Sequence, residues 1–210
     1  MLLLLVLSST AFTVTAQQLY LEGFTARQRT NYDMSPYQQS QIWYSPVGFR
    51  VAGGADKVQI GGEVRFNLKD PKWTIRDTAT NIALGTHTFI SSYYGALVRV
   101  KFSRYPARRF GLNIIAGAGL TNMERRSNVD TEPASISYAQ TPTYNGTVGI
   151  SIPTGKRVMV ELGYSYFFID FKQKQELPKM NGSFHSFHLG FSYNFVFGKR
   201  ATEYEKILKG

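Results

Sequence analysis

Between residues 184 and 197 the chain places Phe187, Leu189, Phe191, Tyr193, Phe195 and Phe197 at odd positions, and Ser186, His188, Gly190, Ser192 and Asn194 at even ones. A side-chain period of two marks a β-strand with two unlike faces, here one large and aromatic, the other small and polar. The stretch is also as long as a tilted transmembrane strand needs, roughly 9–11 residues.

The same alternation recurs along the chain. The first segment, residues 18–27, sets Leu19 and Leu21 against Tyr20, Glu22 and Phe24. The second, 42–52, sets Trp43, Val47, Phe49 and Val51 against Tyr44, Gly48 and Arg50. A Gly53-Gly54-Ala55-Asp56 turn leads to the third, with Val58, Ile60, Val64, Phe66 and Leu68 opposite Gln59, Gly61, Glu63, Arg65 and Asn67. A long polar connection, 69–86, precedes the fourth, where Tyr94, Ala96, Val98, Val100 and Phe102 face away from Gly95, Leu97, Arg99 and Lys101. After a short basic turn, 103–108, the fifth opposes Phe110, Leu112, Ile114, Ala116, Ala118 and Leu120 to Gly111, Asn113, Ile115, Gly117 and Gly119. A polar loop, 123–135, leads to the sixth, with Tyr144, Val148, Ile150 and Ile152 against Asn145, Thr147, Gly149 and Ser151. Pro153-Thr154-Gly155-Lys156 turns into the seventh, with Val158, Val160, Leu162, Tyr164, Tyr166 and Phe168 against Met159, Glu161, Gly163 and Ser165. The loop 173–183 delivers the eighth.

The segments number eight, and their connections alternate long and short. That combination predicts an all-β fold: an eight-stranded antiparallel up-and-down transmembrane β-barrel with short periplasmic turns and longer extracellular loops. Both termini are then expected on the periplasmic side. The soluble alternative, a lipocalin-like barrel, buries its large apolar face and dresses the other in Lys, Glu and Asp. Here the polar face is mostly Gly, Ser, Asn and Thr, which suits an eight-stranded lumen that side chains must fill. Aromatics gather at the strand ends, with Trp43, Tyr94, Tyr144, Tyr166 and Phe168 at one and Phe102, Phe110, Phe195 and Phe197 at the other. Two such girdles belong at membrane interfaces.

Composition adds boundaries. Residues 1–16 carry no charge, open with a Leu-rich run too short to span a bilayer, and end in Val14-Thr15-Ala16, so they read as a signal peptide. The barrel is assigned to 17–197 and a periplasmic tail to 198–210. The chain has no Cys, which excludes disulfides and Cys metal sites. A net charge of +10 invites nucleic acid, but an exported chain without a basic helix points to acidic lipid head groups instead. The expected partners are outer-membrane lipid and lipopolysaccharide, together with a protein partner in a membrane complex; nucleic acid is excluded.

The alternation over residues 17–197 and the closing Tyr193-Asn194-Phe195-Val196-Phe197 resemble the small outer-membrane β-barrels of the OmpA/OmpX type. The resemblance implies residence in the bacterial outer membrane. One departure is that the chain continues for residues 198–210 beyond the aromatic strand.

No constellation on the inner face argues for catalysis. Ser186 and His188 share a strand face at roughly 7 Å along it. Counting from strand ends leaves Glu161 a further gap on the order of 15 Å from His188. His87, His185 and His188 show no metal-ligand spacing, and no cofactor is expected. Glu63, Arg65, Arg99 and Glu161, joined by Glu22 and Arg50, are expected to neutralise one another as a lumenal charge network, since unpaired buried charges are costly. The reading is therefore a non-enzymatic barrel, a structural or interaction subunit accessory to an envelope assembly, secretion or transport complex. The alternatives are a lipid-modifying barrel enzyme of the lipid A deacylase kind and a surface adhesion or binding barrel.

Two surface features complete the expectations. Arg125, Arg126, Lys172, Lys174 and Lys179 fall in predicted extracellular loops, placed to contact lipopolysaccharide phosphates. In the tail, Tyr204, Ile207 and Leu208 would line one stripe of a short helix begun at Thr202, a docking surface for a partner.

Overall fold

The computed structural model describes residues 18–33, 38–39, 43–55, 57–77, 79–102, 110–131, 133–155, 157–170 and 181–197. The signal segment 1–16, the loop bearing Lys172, Lys174 and Lys179, and the tail with Tyr204, Ile207 and Leu208 lie outside them, as does the side chain of Trp43. The strands, in chain order, are β1 (Gln18–Asp33), β2 (Gln38–Gln39), β3 (Trp43–Tyr44), β4 (Pro46–Gly54), β5 (Val58–Asn67), β6 (Lys72–Arg76), β7 (Ala83–Lys101), β8 (Gly111–Ser127), β9 (Ser135–Pro153), β10 (Val158–Asp170) and β11 (Asn181–Val196). No helix among the described residues is long and apolar enough to cross a membrane; the crossing elements are strands.

Eight of these strands close into an antiparallel barrel. Going round, β1 pairs β4, β4 pairs β5, β5 pairs β7, and β8, β9, β10 and β11 follow before β11 returns to β1. Gln18 lies opposite Val196, so the first and last strands begin and end side by side. The odd-even faces separate as the alternation requires. Phe49, Ile114, Val148, Leu162 and Phe191 are exposed outward, whereas Tyr20, Glu22, Arg50, Glu63, Arg65, Leu97, Arg99, Ile115 and Glu161 are buried inside. An outward apolar band and a filled polar interior are what a barrel dissolved in lipid requires.

The end opposite the short turns departs from the sequence expectations. Stretches read as polar connections are strand. β1 runs on to Asp33, β7 begins at Ala83, and the 123–135 loop is shortened by a β8 that reaches Ser127 and a β9 that starts at Ser135. Within the 69–86 connection lies β6, paired with β7 and, on its other edge, with β2. The expected 42–52 strand is broken at Ser45 into β3 and β4, where Pro46 has no N–H to donate to a ladder.

These extensions bury an apolar layer. Trp73, Phe89, Met123, Ile136 and Tyr138 from the tall β6–β9 side pack with Phe167 and Ile169 of β10 and Phe184 of β11. Trp73 meets Phe89 edge-on at 4.2 Å between ring centroids, and Phe167 stacks on Phe184 at 4.7 Å. The lumen is thus capped by aromatics above and filled by polar side chains below.

Candidate functional site

The lumen's ionised groups come from strands that register places next to one another. Glu22 of β1 lies opposite Arg50 of β4, and Arg50 lies opposite Glu63 of β5. All three point inward, so Arg50 is held between two carboxylates. It donates from Nη1 to Glu22 Oε2 at 3.0 Å and from Nε to Glu63 Oε2 at 2.8 Å. Arg65, two residues on from Glu63 and hence on the same face, donates from Nε to Glu63 Oε1. Tyr20 OH donates to Glu22 Oε2 at 2.6 Å.

Phe24 and His188 close this cluster. The Arg50 guanidinium lies 4.5 Å from the Phe24 ring centroid and that of Arg65 4.8 Å, so one ring serves two cations. Arg65 also lies 4.3 Å from the centroid of Phe167, which joins the charged layer to the aromatic cap. His188 Nε2 is 3.3 Å from Arg50 Nη1 and 3.9 Å from Glu22 Oε1. An arginine N–H aimed at Nε2 makes that nitrogen an acceptor. Space for these side chains is made by glycines: a Cβ on Gly48 would strike the Phe24 ring, and one on Gly163 the His188 ring.

A second cluster lies toward the short-turn end. Arg99 of β7 donates from Nη2 to Glu161 Oε1 of β10 at 3.1 Å and to Ser151 Oγ at 3.2 Å, and from Nη1 to Gln59 Oε1 at 3.3 Å. Glu161 also accepts from Ser151 Oγ at 2.6 Å, from Ser192 Oγ at 2.8 Å and from Asn113 Nδ2 at 3.5 Å. Arg99 sits 3.8 Å from the Tyr20 centroid, and Tyr20 OH binds Glu22, so that tyrosine bridges the two clusters. Below them Lys101 Nζ donates to Gln18 Oε1 at 2.9 Å. Carboxylates and guanidiniums balance in each cluster, which is how several buried charges coexist without the cost of an isolated one.

Glu63, Arg65, Arg99 and Glu161 are therefore all inward and all bonded, but in two groups. Tyr20, Gln59, Asn113, Ser151, Ser192 and His188 complete the groups and had a sequence signal in their parity alone. The spacing estimated for Glu161 and His188 is corrected: Glu161 lies opposite Gly190, only two residues from His188 in the β10–β11 register. The count from strand ends ignored stagger, whereas β10 starts level with Tyr193 because β11 runs lower. Proximity still yields no catalytic triad. Glu161 faces Arg99 and the serines, Ser186 Oγ accepts from Arg65 Nη1 at 3.5 Å, and His188 faces Arg50. His87 is buried near Phe89, and His185 Nδ1 is bonded to Tyr164 OH, so the three histidines are dispersed. Among the described residues no His, Asp and Glu group could hold a metal ion.

Of the basic residues read as loop contacts, Arg125 and Arg126 lie on β8 rather than in a loop. Alternation sends them to opposite faces. Arg125 is buried, 3% exposed, so it does not present its charge to the surface. The Arg126 side chain is 59% exposed and is paired with Glu124, Nε to Oε1 at 2.8 Å.

Comparison with known proteins agrees with this architecture. A family model described as outer membrane protein beta-barrel domain matches residues 1–195. Among solved structures, Neisserial surface protein A aligns with a TM-score of 0.58 at 11% identity, covering 84% of this chain and 97% of the other. The outer membrane protein OprG of Pseudomonas aeruginosa aligns with a TM-score of 0.55 at 12% identity, over 87% of this chain and 98% of its own. The attachment invasion locus protein Ail of Yersinia pestis gives 0.50 at 13%, over 86% and 100%. No curated protein matches the sequence.

Proposed function

The chain belongs to the outer-membrane protein β-barrel family, and from that premise we propose that it is a sealed, non-enzymatic barrel acting as an interaction subunit of an envelope complex. Its exposed apolar band contacts outer-membrane lipid. The observation that carries the proposal is the lumen. Arg50, Arg65 and Arg99 are each bonded to a carboxylate, and Glu22, Glu63 and Glu161 each to an arginine, beneath a cap of packed aromatics. A pore needs a continuous aqueous path and an enzyme needs a nucleophile aimed at an accessible space; the paired charges and packed aromatics of the described lumen residues favour neither, which supports this reading. Activity then resides on the outside, where the tall β6–β9 wall and outward residues such as Arg126 face the extracellular medium.

The test is isolation of the tagged barrel from its native membrane in mild detergent, with conductance measured on the same preparation. A stoichiometric protein partner and no steady single-channel steps support the proposal. Large stable conductance, or a change in the lipid A mass profile on overexpression, overturns it.

A further inference from the structure

The outward positions of β4 are Val47, Phe49 and Val51, all apolar, whereas its neighbour β1 turns two cations to the same side. Phe24, Ala26 and Gln28 are buried in the lumen, so alternation sends Arg27 and Arg29 out. Arg27 is exposed and forms no ion pair among the described residues. Register sets what stands beside them. Arg27 lies opposite Phe187 of β11, which lies opposite Tyr164 of β10. In the next outward row, Arg29 lies opposite His185, which lies opposite Tyr166. Arg27 and His185 are diagonal neighbours on one face, a separation of roughly 7–8 Å that long side chains span.

The histidine is fixed in place by its neighbours. Its Nδ1 is hydrogen-bonded to Tyr164 OH, and its ring lies 5.9 Å from the Tyr164 centroid and 5.3 Å from that of Tyr166. With Nδ1 engaged, Nε2 is the ring nitrogen left for a ligand. Neither row contains a carboxylate, on β1 and β11 or on the flanking β3, β10 and β9. The patch therefore carries two positive charges and no negative one. Arg126, the outward arginine of β8, differs in being paired already with Glu124.

We propose that this patch is a site for one phosphate monoester of a lipid head group, the phosphorylated sugar of lipopolysaccharide. Arg27 and His185 Nε2 bind the phosphate oxygens, and Arg29 adds a second positive charge beside them. A monoester carries about −1.5 to −2 at neutral pH, which matches two guanidiniums better than the single charge of a phosphodiester does. Guanidinium bonds to phosphate are charge-assisted and directional, so the site selects a head group rather than merely touching lipid. Tyr164 and Tyr166 belong to the upper aromatic girdle, the depth at which head groups lie. The inference rests on the barrel's outer-membrane placement with its short turns toward the periplasm, which puts both rows in the outer leaflet.

The experiment titrates the full-length protein in dodecylmaltoside micelles with diphosphoryl lipid A or phosphatidylglycerol, counts bound lipid by native mass spectrometry, and adds inorganic phosphate as a competitor. Heat-modifiability on gels reports barrel assembly separately, so a folding failure is not mistaken for a failure to bind. The wild type should retain one lipid A saturably and bind phosphatidylglycerol more weakly, and excess inorganic phosphate should not displace the lipid. Arg27→Gln should weaken lipid A retention roughly tenfold or more, as loss of a charge-assisted bond implies. His185→Phe, which keeps the ring between its tyrosines but removes Nε2, should weaken it as well. Arg126→Gln should leave it unchanged. An assembled Arg27→Gln or His185→Phe barrel that retains lipid A as tightly as the wild type overturns the inference. Equal binding of phosphatidylglycerol overturns the monoester assignment, and displacement by inorganic phosphate reassigns the patch to the free anion. None of these results bears on the sealed, partner-binding barrel, which conductance and co-purification test.

Discussion

Arg99 on β7 reaches across the lumen to Glu161 on β10, joining strands that are not neighbours with a bond of 3.1 Å. Both side chains are almost wholly buried, at 1% and 3% exposure. Removing one partner leaves the other charge buried without its counter-ion. Arg99→Leu and Glu161→Leu should each cost about 3–5 kcal/mol of barrel stability, and the double replacement should cost less than the sum. Urea unfolding in detergent micelles checks it. Additive losses would mean that the pair contributes no coupling.

The outer face makes the complementary prediction. Leu162 points outward at 41% exposure, opposite Ile150 of β9 and Leu189 of β11 in the apolar band. Leu162→Arg should lower stability by roughly 2–4 kcal/mol near the bilayer midplane. Folding titration into lipid vesicles would reveal it, and an unchanged variant would put Leu162 outside the hydrocarbon.

Face assignment was legible because parity is a local property: any residue two along from Glu63 or Glu161 shares its side of the wall. Partnership was not, because Arg99 and Glu161 lie 62 residues apart and their meeting depends on stagger between strands. The same ignorance of stagger produced the false gap between Glu161 and His188. The aromatic cap escaped for another reason. In β6, Trp73 and Ile75 are two apolar positions among Lys72, Thr74 and Arg76, too short a run to stand out from a polar loop. Arg125 and Arg126 read as one basic patch only while they are placed in a loop; on a strand, adjacent residues cannot share a face.

The β6–β7 hairpin offers a pH-dependent reporter. The Asp77 carboxylate accepts from Thr80 N at 2.7 Å, from Thr80 Oγ1 at 2.9 Å and from Ala79 N at 2.9 Å, which holds its pKa below the ordinary aspartate value. A depressed carboxylate stabilises the turn above the unfolded pKa and loses that contribution as pH falls through the folded one. The Thr80 amide resonance, followed by NMR, should therefore titrate with a midpoint below that of an unstructured aspartate. Asp77→Ala should abolish the titration and speed amide exchange in the turn. A midpoint at or above the ordinary value would contradict the bonding.

The last prediction tests how tightly the lumen is filled. Gly163 of β10 lies opposite His188 of β11, and the imidazole occupies the space where a side chain at 163 would begin. Gly163→Ala should then cost about 1–3 kcal/mol, the usual penalty for overfilling a packed interior. His188→Ala removes the obstacle along with the contact to Arg50, and carries its own loss. In the His188→Ala background the added methyl no longer meets the imidazole, so Gly163→Ala should cost much less. A double-mutant cycle by equilibrium unfolding reads the difference as a coupling energy. An equal cost in both backgrounds would show that the methyl is resisted by the strand itself, and that the glycine is there for the backbone rather than for the histidine.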